Sequence, residues 1–208
     1  MNRKLKWIYN PFEQMAGWKA FGIGLIILCI TTVTGYYSHT VFYGISIQPV
    51  PTVTWGKVFF LQGSGLAVTV LVMWIIALLS AKHVRFQDVL GTVTLAKYPL
   101  IVAAIVFLMF NHRLMEITEK VMSMDIYKII NEITLSDYTL LFVFSIMLIP
   151  VLIWEIVLLF NAFKVSTNLK GVKCALLFTA ILLISEIIIN VLKGAVSLNN
   201  CYHSKGFL

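Results

Sequence analysis

The sequence predicts an all-α polytopic membrane protein, a bundle of five transmembrane helices with amphipathic helices at the interfaces. Hydrophobic residues make up 60% of the 208, and charged residues only 12%. A soluble domain carries about 25% charged residues, so this chain could not cover a globule with solvated groups. Apolar runs near the ~20 residues that cross a bilayer core recur five times along the chain. The same composition excludes intrinsic disorder, collagen, a coiled coil and a disulfide scaffold. Cys29, Cys174 and Cys201 lie far apart with no CxxC, so no disulfide framework is implied. A single membrane domain over residues 1–208 is expected, with no cofactor or metal and no enzymatic role.

Residues 1–19 mix charge with Trp7, Tyr9, Phe12 and Trp18. Asn10-Pro11 breaks them, and Pro11 suits the first turn of a helix lying at the interface. Arg3, Lys4 and Lys6 ahead of an apolar run resemble a signal peptide. The stretch before the run is long, however, and no Ala-x-Ala site follows it, so an uncleaved first span is expected. Span one covers residues 20–37. On it and just before it, Gly17, Ala20, Gly24, Thr31 and Gly35 fall within about 60° of one another, a small-residue seam for close helix packing. Residues 38–56, with Pro49 and Pro51, read as a loop. Span two covers residues 58–80. Gly56, Gly63, Ala67 and Ala77 share one of its faces, which predicts packing of span two on span one. Gly63-Ser64-Gly65 is a helix-packing feature and not a phosphate loop, because neither a strand before it nor a Lys-Ser/Thr after it is present.

A short polar loop, residues 81–92, leads to span three at residues 93–110. Lys97 lies inside that span, and Pro99 predicts a kink or break. Residues 111–137 form the long polar segment. Leu114, Ile117, Val121, Met124, Ile130 and Ile133 recur at helical steps, which predicts an amphipathic helix resting on the membrane surface. Ser136 is the expected N-cap of span four. Span four covers residues 138–160, with Pro150 as a second kink and Glu155 inside it. A basic loop, residues 161–173, precedes span five at residues 174–192, which holds Glu186 and Asn190.

With five spans the termini lie on opposite faces. The N-terminal face carries Arg3, Lys4, Lys6, Lys19, Lys82, Arg85, Lys97, Lys164, Lys170 and Lys173. The other carries Lys57, Arg113, Lys120, Lys128, Lys193 and Lys205. The bias places the N-terminus in the cytoplasm and the C-terminus outside. The net charge of +7 is then a topology signal and an attraction to anionic lipid. Nucleic acid is not an expected partner, since no soluble basic face exists.

Glu155 and Glu186 are the only acids within the spans. Glu155 is six residues from the end of span four and Lys97 about five from the start of span three. Their depths are thus about 9 Å and about 7 Å, which predicts an ion pair near the cytoplasmic face. Thr179, Glu186, Asn190, Lys193 and Ser197 lie within about 60° on span five. This stripe reads either as one wall of a polar pathway or as a hydrogen-bonded packing seam. Glu186 lies about 18 Å in, with no cation expected at its depth. It is therefore expected to be protonated and bonded to Asn190 or to a hydroxyl on a neighbouring span. His39, His83, His112 and His203 lack HxxxH or HExxH spacing and read as polar loop residues.

Three stretches resemble a known family. These are Trp7-Ile8-Tyr9-Asn10-Pro11-Phe12-Glu13-Gln14 ahead of span one, Tyr98-Pro99 in span three, and IWEIVLLFNAFKVSTNLKGVKCALLF over residues 153–178. Together they resemble the short bacterial branch of the YIP family, five-span membrane proteins named for Ypt/Rab-interacting proteins. The resemblance implies five spans in a bacterial inner membrane, a cytosolic N-terminus and an external C-terminus. Eukaryotic members contact GTPases through a longer N-terminal region. Only about 19 residues precede span one here, so that role does not carry over. The function expected first is a non-enzymatic scaffold or interaction protein of the membrane. Its partners would be the lipid bilayer and a membrane protein or a second copy of the chain. The alternative is a transporter or channel component for a small solute, ion or proton, using Glu186 and Glu155.

Overall fold

The computed structural model describes residues 10–13, 15, 17–50, 54–81, 83–123 and 134–205, the last eleven of these as helix path alone. After a short 3-10 turn at Pro11–Glu13 come α1 (Gly17–Tyr37), β1 (Thr40–Tyr43), β2 (Ser46–Pro49) and α2 (Trp55–Ser80). Then follow α3 (Phe86–Ala96), α4 (Leu100–Ser123), α5 (Leu135–Thr167) and α6 (Gly171–Lys205). Five helical stretches are long and apolar enough to cross a membrane, α3 and α4 together forming the third. The chain is thus an all-α bundle of the multi-pass membrane class, with one β-hairpin set into it.

The spans outrun their apolar cores. The third begins at Phe86 rather than at residue 93, and α5 ends at Thr167 rather than at residue 160. Lys164 and Lys173 sit within helices. Lysine is a good helix former, so backbone hydrogen bonding continues into the interface after the apolar run stops. The α5–α6 connection is only residues 168–170. Asn168 closes α5 in the left-handed region at φ 55°, its N–H donating to Lys164 O at 2.9 Å. The N-cap of α5 is Thr134, not Ser136: Asp137 accepts from the Thr134 N–H at 3.1 Å and hydroxyl at 2.8 Å.

Residues 111–123 of the expected surface helix instead continue the third long helical stretch. No Gly or Pro interrupts α4, so it runs on past residue 110 to Ser123. Leu114 and Ile117 are buried, and Leu114 clusters with Phe107 and Phe144. They face the bundle, not the membrane surface. Met124, Ile130 and Ile133 lie outside the described residues, as do residues 1–9 of the N-terminal segment.

The kink at Pro99 is a full break. Proline has no N–H and its ring crowds the carbonyl four residues back, here Leu95. The chain tightens to i→i+3 bonds, Tyr98 N–H to Leu95 O at 3.1 Å and Leu100 N–H to Lys97 O at 3.0 Å. Pro150 does not end its helix: α5 runs through it, and the ring lies on an exposed face.

The small-residue seam of α1 is used, against a different partner. Gly17, Ala20 and Gly24 are buried, and α1 packs chiefly along α3. A Cβ on Gly24 would stand 2.7 Å from the Leu95 nitrogen, so only glycine permits this approach. Of the proposed seam on α2 only Ala77 is buried. Gly63 and Ala67 are exposed, and Gly63 has open space in front of it. The inward face of α2 is Gln62, Gly65, Thr69 and Met73. Gln62 bridges to α1: its Nε2 donates to Thr31 Oγ1 at 2.8 Å, and its Oε1 accepts from Thr32 at 2.8 Å. Gln62→Leu should cost only about 0.6–1.7 kcal/mol, because both threonine hydroxyls keep Leu28 O within reach as an acceptor. Reversible unfolding in mild detergent checks this. A loss beyond 3 kcal/mol would show that the clasp, not packing, holds α1 to α2.

Candidate functional site

Residues 38–56, read from the sequence as a loop, contain an antiparallel hairpin that re-enters the bundle. Thr40 pairs with Pro49 and Tyr43 with Ser46, which leaves a two-residue turn, Gly44-Ile45. Gly44 takes φ +58°, as the first position of such a turn favours. All four β1 residues are buried. Phe42 packs among Leu100, Ala103 and Val151; Val41 and Tyr43 pack with Val58 and Ile189. The turn abuts Gly65, where a Cβ would lie 2.7 Å from the Gly44 nitrogen. Gly65 is ten residues into α2, so the turn reaches about 15 Å along that helix from its Trp55 end. That is the middle of a ~30 Å hydrocarbon core.

Non-helical backbone at that depth must find partners within the protein. Here one peptide unit is clamped at both ends by ionisable side chains. Lys97 Nζ donates to the Gly44 carbonyl at 2.6 Å. The Ile45 N–H, from the same peptide group, donates to Glu186 Oε1 at 2.7 Å. Ser46 Oγ donates to Glu186 Oε2 at 3.2 Å. Lys97 also donates to Glu155 Oε1 at 2.6 Å, with side-chain exposures of 4% and 0%. A continuous polar chain thus runs from Glu155 on α5, through Lys97 at the α3–α4 break and the hairpin turn, to Glu186 on α6. Glu155 Oε2 is buried without a hydrogen-bond partner among the described residues. Farther out, Lys193 Nζ donates to Tyr43 Oη at 2.7 Å and to Gln48 Oε1, and Tyr43 donates to Gln48 at 2.7 Å. With all four groups ionised, Glu155, Glu186, Lys97 and Lys193 sum to zero charge.

The Lys97–Glu155 pair is therefore present, and it meets the hairpin turn that abuts Gly65, near the middle of α2. Lys97 is eleven residues beyond Phe86 and Glu155 twelve before Thr167, about 16 and about 18 Å along the helices from those ends. These distances exceed the sequence depths because the helices begin and end in charged residues that the apolar run does not include. Glu186 meets a hydroxyl, but one on the hairpin, together with a backbone amide. Asn190 is exposed and bonds only the Glu186 backbone carbonyl, at 2.8 Å. Thr179 is also exposed and bonds its own helix at Ala175 O. The expected stripe is thus divided. Glu186 and Lys193 grip the hairpin, whereas Thr179 and Asn190 face outward; the side chain of Ser197 lies outside the described residues.

Sequence reasoning missed Tyr43, Gly44, Ser46 and Gln48. The signal was available: two short strand-like runs, TVFY and SIQP, stand on either side of Gly-Ile. Ser185, buried with its hydroxyl unpartnered among the described residues, was also unforeseen. No protein-family model, curated protein or solved structure matches the chain.

Proposed function

We propose that the chain is a non-enzymatic integral membrane protein that passes a proton or small cation by way of Glu155, Lys97 and Glu186, with the hairpin as its closure. The observation that carries this is the single Gly44–Ile45 peptide held between Lys97 and Glu186 at mid-depth. Discontinuous helices and irregular backbone at the midplane are how many membrane transporters build ion and substrate sites. Ionisable residues there are costly and mark pathways by default. A purely structural bundle needs neither a broken span nor a buried hairpin turn. Withdrawal of the hairpin would open the three side chains toward the outer face, while its present position seals them.

The second reading is the scaffold type, in keeping with the resemblance to five-span YIP proteins of a bacterial inner membrane, N-terminus inside. The full enclosure of Lys97 and Glu155, each neutralising the other, favours it. Proteoliposomes carrying a pH-sensitive dye separate the two. We expect the wild type to dissipate an imposed proton or cation gradient. Glu186→Gln keeps an acceptor for the Ile45 N–H, so it should retain the melting temperature yet lose the flux. A wild type as tight as empty vesicles, with Glu186 inaccessible to water, would overturn the pathway reading in favour of the scaffold.

A further inference from the structure

We propose a second site: a cleft on the N-terminal half of the bundle that binds an anionic phospholipid, with one acyl chain in the cleft and the phosphate at Lys19. The cleft holds about 460 Å³ and is walled by Met15, Ile23 and Ile27 on one side and by Leu95, Tyr98 and Trp154 on the other. That volume lies within the ~300–1,000 Å³ of small-ligand sites. Tyr98 and Trp154 meet edge to face, ring centroids 5.0 Å apart, and form a rigid inner wall.

Depth identifies the occupant. Ile23 and Ile27 stand six and ten residues into α1, about 9 and about 15 Å below its start. The cleft therefore follows one leaflet, half of a ~30 Å core. A cleft at that depth lined almost wholly by apolar atoms suits a hydrocarbon chain better than water or a polar solute. Charge identifies the headgroup. Lys19, Ile23 and Ile27 are spaced i, i+4, i+8 and so share one helix face, which puts Lys19 one turn N-terminal to the cleft wall, within reach of a headgroup whose chain fills the cleft. Lys19 is exposed, and its neighbour Trp18 is 65% exposed, as suits an anchor at headgroup level. Neither Glu186 nor the hairpin enters this inference, so it stands apart from the pathway reading.

The test uses the full chain in mild detergent with two lipids of identical acyl chains, phosphatidylglycerol and phosphatidylcholine. By native mass spectrometry the wild type should retain phosphatidylglycerol about fivefold more than phosphatidylcholine, as one lysine near the surface allows. Lys19→Gln should bring the two lipids level, and Ile27→Trp, which fills the cleft, should reduce retention of both. A phosphatidylglycerol with a diazirine in its acyl tail provides a check on the unaltered chain. Its crosslinks should concentrate at Ile23, Ile27, Tyr98 and Trp154. Equal retention of the two lipids by the wild type would overturn the headgroup assignment. Crosslinks spread evenly to outward residues such as Leu79 and Ile146 would overturn the site itself.

Discussion

Lys97→Met is expected to destabilise the protein by about 3–5 kcal/mol, the usual result of removing one partner of a buried ion pair. Two groups are stranded at once, Glu155 with no exposure and the Gly44 carbonyl at the hairpin turn. Glu155→Leu should cost a similar amount, because it leaves an ammonium buried at mid-depth. The double variant Lys97→Met/Glu155→Leu removes both charges together, so its loss should fall well short of the sum. It should not return to wild type, because the Gly44 carbonyl still lacks its donor, a deficit of about 1–3 kcal/mol. Equilibrium unfolding in detergent, followed by circular dichroism, measures all three. Strict additivity would show that the two side chains do not act on each other, since residues in one network couple by about 0.5–3 kcal/mol.

The pairing of Lys97 with Glu155 was legible because charge in an apolar span must find charge, and each lies inside one. Their depth was not. Hydropathy marks where the bilayer core ends, whereas helices end where backbone bonding ends. Phe86 and Thr167, the true ends, lie in stretches whose charged residues conceal their helicity. The same rule explains residues 111–123, which are polar in composition yet continue α4. Helix count and type follow from composition, since only helices and closed barrels satisfy the backbone in lipid. The small-residue seam of α1 was readable as a face, but a face does not name its partner. Thr179 and Asn190 share a helical stripe with Glu186 and are still exposed, each bonding a carbonyl of its own helix. The hairpin itself was hidden by its place in a stretch with two prolines, where a loop was the simpler reading. Once it is placed, polar residues of three spans join in one hydrogen-bonded chain that no one span reveals.

Gly44 is the position where this arrangement is least forgiving. Gly44→Ala should destabilise the protein by about 2–4 kcal/mol through two effects. The residue sits at φ +58°, where a non-glycine residue costs about 1 kcal/mol or more. The added methyl would also stand 2.5 Å from Glu186 Oε1 and 2.8 Å from Ile189 Cδ1, and overpacking of this kind costs about 1–3 kcal/mol. The Glu186 carboxylate cannot yield without releasing the Ile45 N–H it accepts from at 2.7 Å. Relief must therefore come from outward movement of the hairpin, which frees the Lys97–Gly44 bond as well. Gly63→Ala is the matched control, a glycine in α2 with open space before it. It should stabilise the helix by up to about 1 kcal/mol. The second readout is accessibility: a Ser46→Cys reporter, little labelled by a membrane-impermeant maleimide in the parent, should label several-fold faster in Gly44→Ala. If Gly44→Ala melted with the Gly63→Ala control and left labelling unchanged, the turn would not be seated against Glu186, and the clamp would lose its Glu186 arm.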